Sequence, residues 1–464
     1  MGPLSWLFPS TDVSLVHCEQ NQLLLQKKKK KKKKSGSDDD KQQQEQVKLI
    51  DLCRKATPPK CNLNPLLFNG HLQTGWTTIK ENVEIPIYYK RKIFEQDDPS
   101  FPGQFAVDFV VPPYATPVDD DEASDKARKY TLPSGLPERT AMFTKNELNS
   151  LPSDDNRPML IAMHGLSGGS HEVYLRSALA PLVLGDRGWE ACVINSRGCA
   201  QTKISTPLLF NARATWDVRC LVKWLRKNFP NRPLFGIGFS LGANILINYL
   251  GEEAENCQLK AAVICANPWN LELTNHLLKS TWIGSEVYSA YLGSSLSGLF
   301  ADHVEQLEQH PNLSSEAVKG IKYIYEFDRL VQCALWGYPT EGAYYRDASS
   351  IDSLLSIKIP FLAINAEDDP ISAKQAIPYG EFQQTPYGVL LATSWGGHLG
   401  YFETGGSRWF AKPASNFLDL MATEIDLSVA PVESKHDEKS EGVKKFPDRY
   451  SFQPMRRRWF RSEE

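Results

Sequence analysis

A glycine-flanked serine, an acidic pair followed by proline and a histidine in a glycine-rich loop occur in this order along the chain, and together they could carry nucleophilic acyl chemistry. Gly238-Phe239-Ser240-Leu241-Gly242 matches G-x-S-x-G, a pattern that exposes a serine hydroxyl when a strand enters it and a helix leaves it. A hydroxyl is a weak nucleophile until a neutral imidazole accepts its proton, and that imidazole needs a carboxylate to hold its tautomer. Downstream stand Asp368-Asp369-Pro370-Ile371 and then Gly396-Gly397-His398-Leu399-Gly400. Pro370 and Ile371 turn the chain away directly after Asp369, which favours it as the acid; Asp368 stays open as the alternative. Of the nine histidines only His398 and His436 follow the acid, and His436 lies in a charged stretch. The negative oxygen of a tetrahedral intermediate needs two backbone donors. The N–H of Leu241 is one candidate, and the N–H of Leu166, in His164-Gly165-Leu166-Ser167-Gly168-Gly169, is the other.

The elements expected around these residues alternate strand and helix. Short apolar runs at 159–163, 191–195, 234–238, 261–266, 361–365 and 389–393 read as parallel strands, with amphipathic helices near 172–184, 211–229, 242–250 and 414–423. Such a rhythm implies an α/β fold, a mostly parallel sheet covered on both faces. Ser240, the acidic pair and His398 each fall just past the C-terminal end of a strand, where open α/β sheets meet their ligands. Residues 269–357 interrupt the rhythm with helix-like, aromatic sequence and read as a helical lid. Trp282, Tyr288, Tyr291, Phe300, Tyr323, Tyr325 and Phe327 are its core or the wall of an acyl channel. Upstream, 84–94 and 105–111 read as antiparallel strands, 112–157 as a polar insertion, and the stretch from Leu49 to Trp76 as an irregular segment packed on the domain. Residues 1–48 and 426–464 read as tails, leaving 49–425 as the folded domain.

Several strings together resemble the AB-hydrolase-domain, Emb8-like and YheT-like branch of the α/β-hydrolases. They are Asn64-Pro65 with Asn69-Gly70-His71-Leu72-Gln73-Thr74, His164-Gly165, Asn195-Ser196-Arg197-Gly198, the Ser240 elbow, Tyr344-Tyr345-Arg346-Asp347, the Asp368-Asp369 loop and the His398 loop. The Asn267-Pro268-Trp269 turn and the helical segment after it are most similar to the yeast medium-chain fatty acid ethyl ester synthase/esterase proteins. The resemblance implies an α/β-hydrolase fold and a serine esterase/acyltransferase acting on medium-chain fatty acyl substrates. It would take acyl-CoA and a short-chain alcohol, or a fatty acyl ester, with no cofactor and no metal. A monoacylglycerol lipase or phospholipase is the alternative within enzymes. A catalytically silent lipid-binding or scaffold protein is the alternative outside them, and the full set of candidate groups argues against it.

Composition narrows the remaining classes. Hydrophobic residues make up 41% and charged residues 23% of the 464 residues, enough apolar sequence for a sizeable core. The net charge of −3 includes the eight lysines Lys27–Lys34; without them the body is acidic, which disfavours nucleic acid as a partner. The nine cysteines show no CxxC pair, so neither a disulfide framework nor a zinc site is expected, and a cytoplasmic setting is. No window reaches the ~18 apolar residues of a membrane span. The lysine run, with Arg456–Arg458 beside Trp459-Phe460, leaves peripheral contact with an anionic membrane or lipid droplet as the expected mode of any membrane association.

Overall fold

The computed structural model describes residues 11–29, 45–78, 84–114 and 135–434. Its strands are β1 Val13–Val16, β2 Gln22–Gln26, β3 Gln46–Lys48, β4 Tyr88–Glu95, β5 Gln104–Val111, β6 Thr140–Met142 and β7 Met159–Met163. They continue with β8 Glu190–Asn195, β9 Leu234–Phe239, β10 Leu259–Cys265, β11 Phe361–Ala366, β12 Gly388–Thr393 and β13 Val432–Ser434. Ten of them form one sheet in the order β1-β12-β11-β10-β9-β7-β8-β5-β4-β6. From β12 to β8 every neighbour is parallel. Antiparallel β5 and β4 extend one side and β1 the other.

Every residue of β7, β9, β11 and β12 is buried, as continuous Leu/Ile/Val/Phe runs require when both sheet faces are covered. Helix α4 (Val173–Val183) and the helix Ala411–Glu424 cover one face through Leu175, Leu179, Phe417 and Leu418. Helices α5 (Thr215–Asn228) and α6 (Leu241–Glu253) cover the other through Leu221, Leu225, Ile245 and Leu246. Each such side chain removed from water contributes roughly 1.5–3 kcal/mol. Between β10 and β11 the chain is helical, including α7 (Leu271–Ser280) and α8 (Ala290–Ala301), as the sequence led us to expect.

The expected tails differ. Within residues 1–48, β1 adds to the sheet edge beside β12, and β2 pairs with β3 and β13 in a second, three-stranded sheet. Leu23 and Leu25 are 1% exposed and pack in one cluster with Leu49, Leu52 and Cys53 of α1 (Leu49–Ala56). Lysines and polar residues dominate the composition of this stretch, but Gln22-Leu23-Leu24-Leu25-Gln26 supplies enough apolar surface to dock. Lys27 pairs with Glu45, and Lys28 Nζ donates to Ala422 O at 2.6 Å. Lys30–Lys34 and Arg456–Phe460 lie outside the described residues. The segment read as irregular holds α1 and α2 (Gly70–Trp76), and the polar insertion holds β6 and α3 (Lys145–Ser150).

Candidate active site

Ser240 sits between β9 and α6 with φ 51° and ψ −118°, a conformation that costs a non-glycine residue of order 1–3 kcal/mol. The fold holds it there: Ser240 N–H donates to Cys265 O at 2.9 Å, and its carbonyl accepts from Asn244 N–H at 3.1 Å. Gly242 is needed for close approach, because a Cβ there would lie 2.5 Å from Met163 O at the end of β7.

The structure brings three of the candidate side chains into one hydrogen-bonded chain. Ser240 Oγ donates to His398 Nε2 at 2.8 Å, and His398 Nδ1 donates to Asp369 Oδ2 at 2.8 Å. The other Asp369 oxygen accepts from the backbone N–H groups of Ile371 and Ser372, both at 2.8 Å. With the carboxylate oriented by those donors, the imidazole carries its proton on Nδ1 and keeps Nε2 free to accept the serine proton. Asp368, the open alternative, points elsewhere. Its Oδ1 accepts from Gly396 N–H at 2.9 Å and Gly397 N–H at 3.0 Å. Burial raises its pKa above the ordinary carboxylate value, partly offset by those two backbone donors. Asp368 therefore shapes the histidine loop while Asp369 touches the imidazole.

A support of that loop escaped the sequence reading. Helix α2 is capped by the Asn69 side chain, which accepts from Leu72 N–H at 2.9 Å. From it Thr74 Oγ1 accepts from His398 N–H at 2.8 Å, and Gln73 Oε1 accepts from Phe402 N–H at 2.8 Å. Gly397, at φ +62°, backs onto the start of this helix so closely that a Cβ would stand 2.5 Å from Gly70 O. The Asn69-Gly70-His71 string with Gln73 and Thr74 was visible as a motif; its partner loop lies more than 300 residues away and was not.

Leu166 and Leu241 both border the pocket into which Ser240 and His398 open. Leu241 is the first residue of α6, so its N–H has no intrahelical acceptor. The Leu166 loop is braced by His164, whose Nε2 accepts from Ser196 N–H at 3.0 Å and whose Nδ1 donates to Gly165 O at 2.6 Å. Burial lowers the His164 pKa to about 4, so the ring stays neutral in this bracing role. Tyr174 hydroxyl accepts from Gly165 N–H at 2.8 Å. Arg197 is structural, gripping Asp217 with two nitrogens at 2.8 and 2.9 Å.

Leu271, Leu278, Leu292, Leu296 and Ile324, all from the helical insertion, make the pocket wall largely apolar. None of the seven insertion aromatics considered as a channel wall lines it. Phe300 and Phe327 are buried in the insertion core, whereas Trp282 and Tyr291 are exposed. Aliphatic side chains and Phe210, Tyr344 and Tyr345 take that place. Among the described residues no helix is long and apolar enough to cross a membrane.

Residues 158–403 match the family model for the alpha/beta hydrolase fold. The chain belongs to the α/β-hydrolase family. A monoacylglycerol lipase of Saccharomyces cerevisiae is 38% identical over 371 residues, covering 78% of this hydrolase and 80% of the relative. Medium-chain fatty acid ethyl ester synthase/esterase 2 of the same yeast is 30% identical over 409 residues, covering 80% and 89%. A phospholipase of Mus musculus is 31% identical over 267 residues, covering 56% and 62%. With further likeness to the Picea glauca embryogenesis-associated protein and Escherichia coli YheT, these place the hydrolase in the AB-hydrolase-domain, YheT-like branch and among esterases and lipases.

Proposed function

We propose that this hydrolase cleaves fatty acyl esters, monoacylglycerol foremost, through an acyl-enzyme on Ser240. The observation that carries the reading is the Ser240–His398–Asp369 hydrogen-bonded chain opening into an apolar pocket. His398 Nε2 takes the serine proton as Oγ attacks the ester carbonyl, and Asp369 stabilises the resulting imidazolium. The N–H groups of Leu166 and Leu241 receive the oxyanion. Collapse of the intermediate expels the alcohol, which leaves with the proton from His398. Water, activated by the same imidazole, then releases the fatty acid. The aliphatic helices over the pocket exclude bulk solvent while the acyl chain is bound.

The 38%-identical relative named as a monoacylglycerol lipase supports this substrate. A second reading, transfer from acyl-CoA to a short alcohol giving a medium-chain ethyl ester, has the support of the 30%-identical relative named as a synthase/esterase. It differs in the donor, a thioester from which the CoA thiol leaves with the proton from His398, and in the hydroxyl, that of the alcohol in place of water, that His398 activates in the second step. Peripheral contact with an anionic surface through the Lys27–Lys34 run belongs to the same proposal, and salt-sensitive binding to anionic liposomes tests it. To test the activity itself, purified protein is given decanoylglycerol, and decanoyl-CoA over an ethanol series. The reading expects free fatty acid from decanoylglycerol. Ethyl ester rising with ethanol would support the second reading, and no acyl product from either donor would overturn both.

A further inference from the structure

One stretch of the pocket wall is polar and carries hydrogen-bonding capacity that the fold leaves unused. Thr274 and Asn275 on α7 and Asp328 and Gln332 on the π-helical turn Asp328–Gln332 all line it. Thr274, Asp328 and Gln332 are 6%, 5% and 3% exposed. Gln332 Nε2 donates to Phe210 O at 3.0 Å, which fixes the amide and leaves Oε1 as an acceptor. Among the described residues Gln332 Oε1, Thr274 Oγ1 and Asn275 Oδ1 have no hydrogen-bond partner. Asp328 Oδ2 accepts from the Tyr345 hydroxyl at 2.6 Å. Buried polar atoms without partners are uncommon in folded proteins and point to a group that arrives from outside. A π-turn inside a helix is itself a frequent mark of a functional site.

Resting on the reading of Ser240 above and deepening it, we propose that Thr274, Asn275, Asp328 and Gln332 form a hydroxyl-binding subsite for the alcohol part of the substrate, the free glycerol hydroxyls of a monoacylglycerol. The unused atoms are acceptors, apart from the Thr274 hydroxyl, which plays either part. They require donors. A saturated acyl chain offers none and an ethyl group offers none. A phosphodiester offers further acceptors, no donor and a negative charge that this buried, largely apolar wall has, among its described residues, no cation to meet. A glycerol monoester offers two hydroxyls on a small neutral head. Rejection of a ligand lacking the expected donors follows from leaving buried acceptors unpaired.

The same donor chemistry could come from a hydroxyl on the acyl chain, so three substrates are compared: decanoylglycerol, ethyl decanoate and ethyl ω-hydroxydecanoate. Thr274→Val and Gln332→Met keep side-chain volume while removing the acceptor; Gln332→Met also removes the donor to Phe210 O, and any structural loss from that would fall on all three substrates alike. Each is expected to lower kcat/KM on decanoylglycerol by about tenfold or more, mainly through KM, while leaving both ethyl esters within about twofold of the unaltered protein. Undiminished turnover of ethyl decanoate also reports an intact fold. Equal loss on all three substrates, no loss on any, or loss confined to the hydroxy ester would each overturn the glycerol subsite. If the unaltered protein turned over no ester, the Ser240 reading would fail and the subsite with it.

Discussion

The hydroxyl of Thr74 accepts a hydrogen bond from the backbone N–H of His398 at 2.8 Å, across 324 residues of sequence. Helix α2, far upstream of the parallel sheet in sequence, thus sets the position of the imidazole that faces Ser240. The loop it holds is otherwise strained, with Leu399 at φ 58° and Tyr401 at φ 53°, so an external brace has something to counteract.

Thr74→Val removes the acceptor while keeping the shape. We expect kcat on a soluble ester to fall by about ten- to a hundredfold with KM little changed, since small displacements of a reacting group cost that much. Thr74→Ser should restore most of it. Steady-state kinetics on the three proteins decide, and a Val variant with full kcat would show that His398 needs no such brace.

The two adjacent carboxylates should separate cleanly. Asp369→Asn is expected to reduce kcat by about 10⁴, because the amide permits the wrong imidazole tautomer. Asp368→Asn retains an oxygen to accept from Gly396 and Gly397 and removes a charge that burial disfavours, so its loss should be far smaller, with Tm not lowered. Kinetics with parallel melting curves test the ranking; its reversal would reassign the acid.

His164 gives stability a pH signature. Its pKa falls from 6.5 to about 4 on folding because burial disfavours the charged ring, so between these values the unfolded chain binds more protons than the native one. Native stability from this group is complete above pH 6.5 and is lost as pH falls toward 4, a difference of about 3 kcal/mol. Denaturant unfolding of the unaltered protein and His164→Gln should show the gap between them narrowing over that window. A gap independent of pH would mean that His164 is not buried neutral.

Leu25 tests the N-terminal strands. Leu25→Ala should lower unfolding free energy by about 2–4 kcal/mol if β2 is part of the hydrophobic core. A solvated tail would register no change in a urea titration.

The parallel strands and the Ser240 elbow were legible because their signals are local: continuous apolar runs of five or six residues, and glycines where a turn is tight. Asp369 was favoured over Asp368 by the turn at Pro370-Ile371, but Asp368 stayed open, since both follow β11 and only the direction of each side chain decides between them. The strands β1 and β2 were hidden for a different reason. Ser14 pairs with Ala392 across 378 residues, and strands of four and five residues, the second running directly into the lysine run, carry little periodicity of their own. The insertion was legible as helical but not in its pocket lining, because whether an aromatic faces a cavity, a core or solvent depends on how short helices pack.

The most direct test of the account is site identification of the acyl-enzyme. A fluorophosphonate is reacted with the purified protein and with Ser240→Ala, peptides are mapped by mass spectrometry, and decanoylglycerol hydrolysis is followed in both. The account expects a single adduct on Ser240, none in the variant, and turnover reduced by several orders of magnitude with an unchanged circular dichroism spectrum. An adduct on another residue, or hydrolysis that persists in Ser240→Ala, would contradict it.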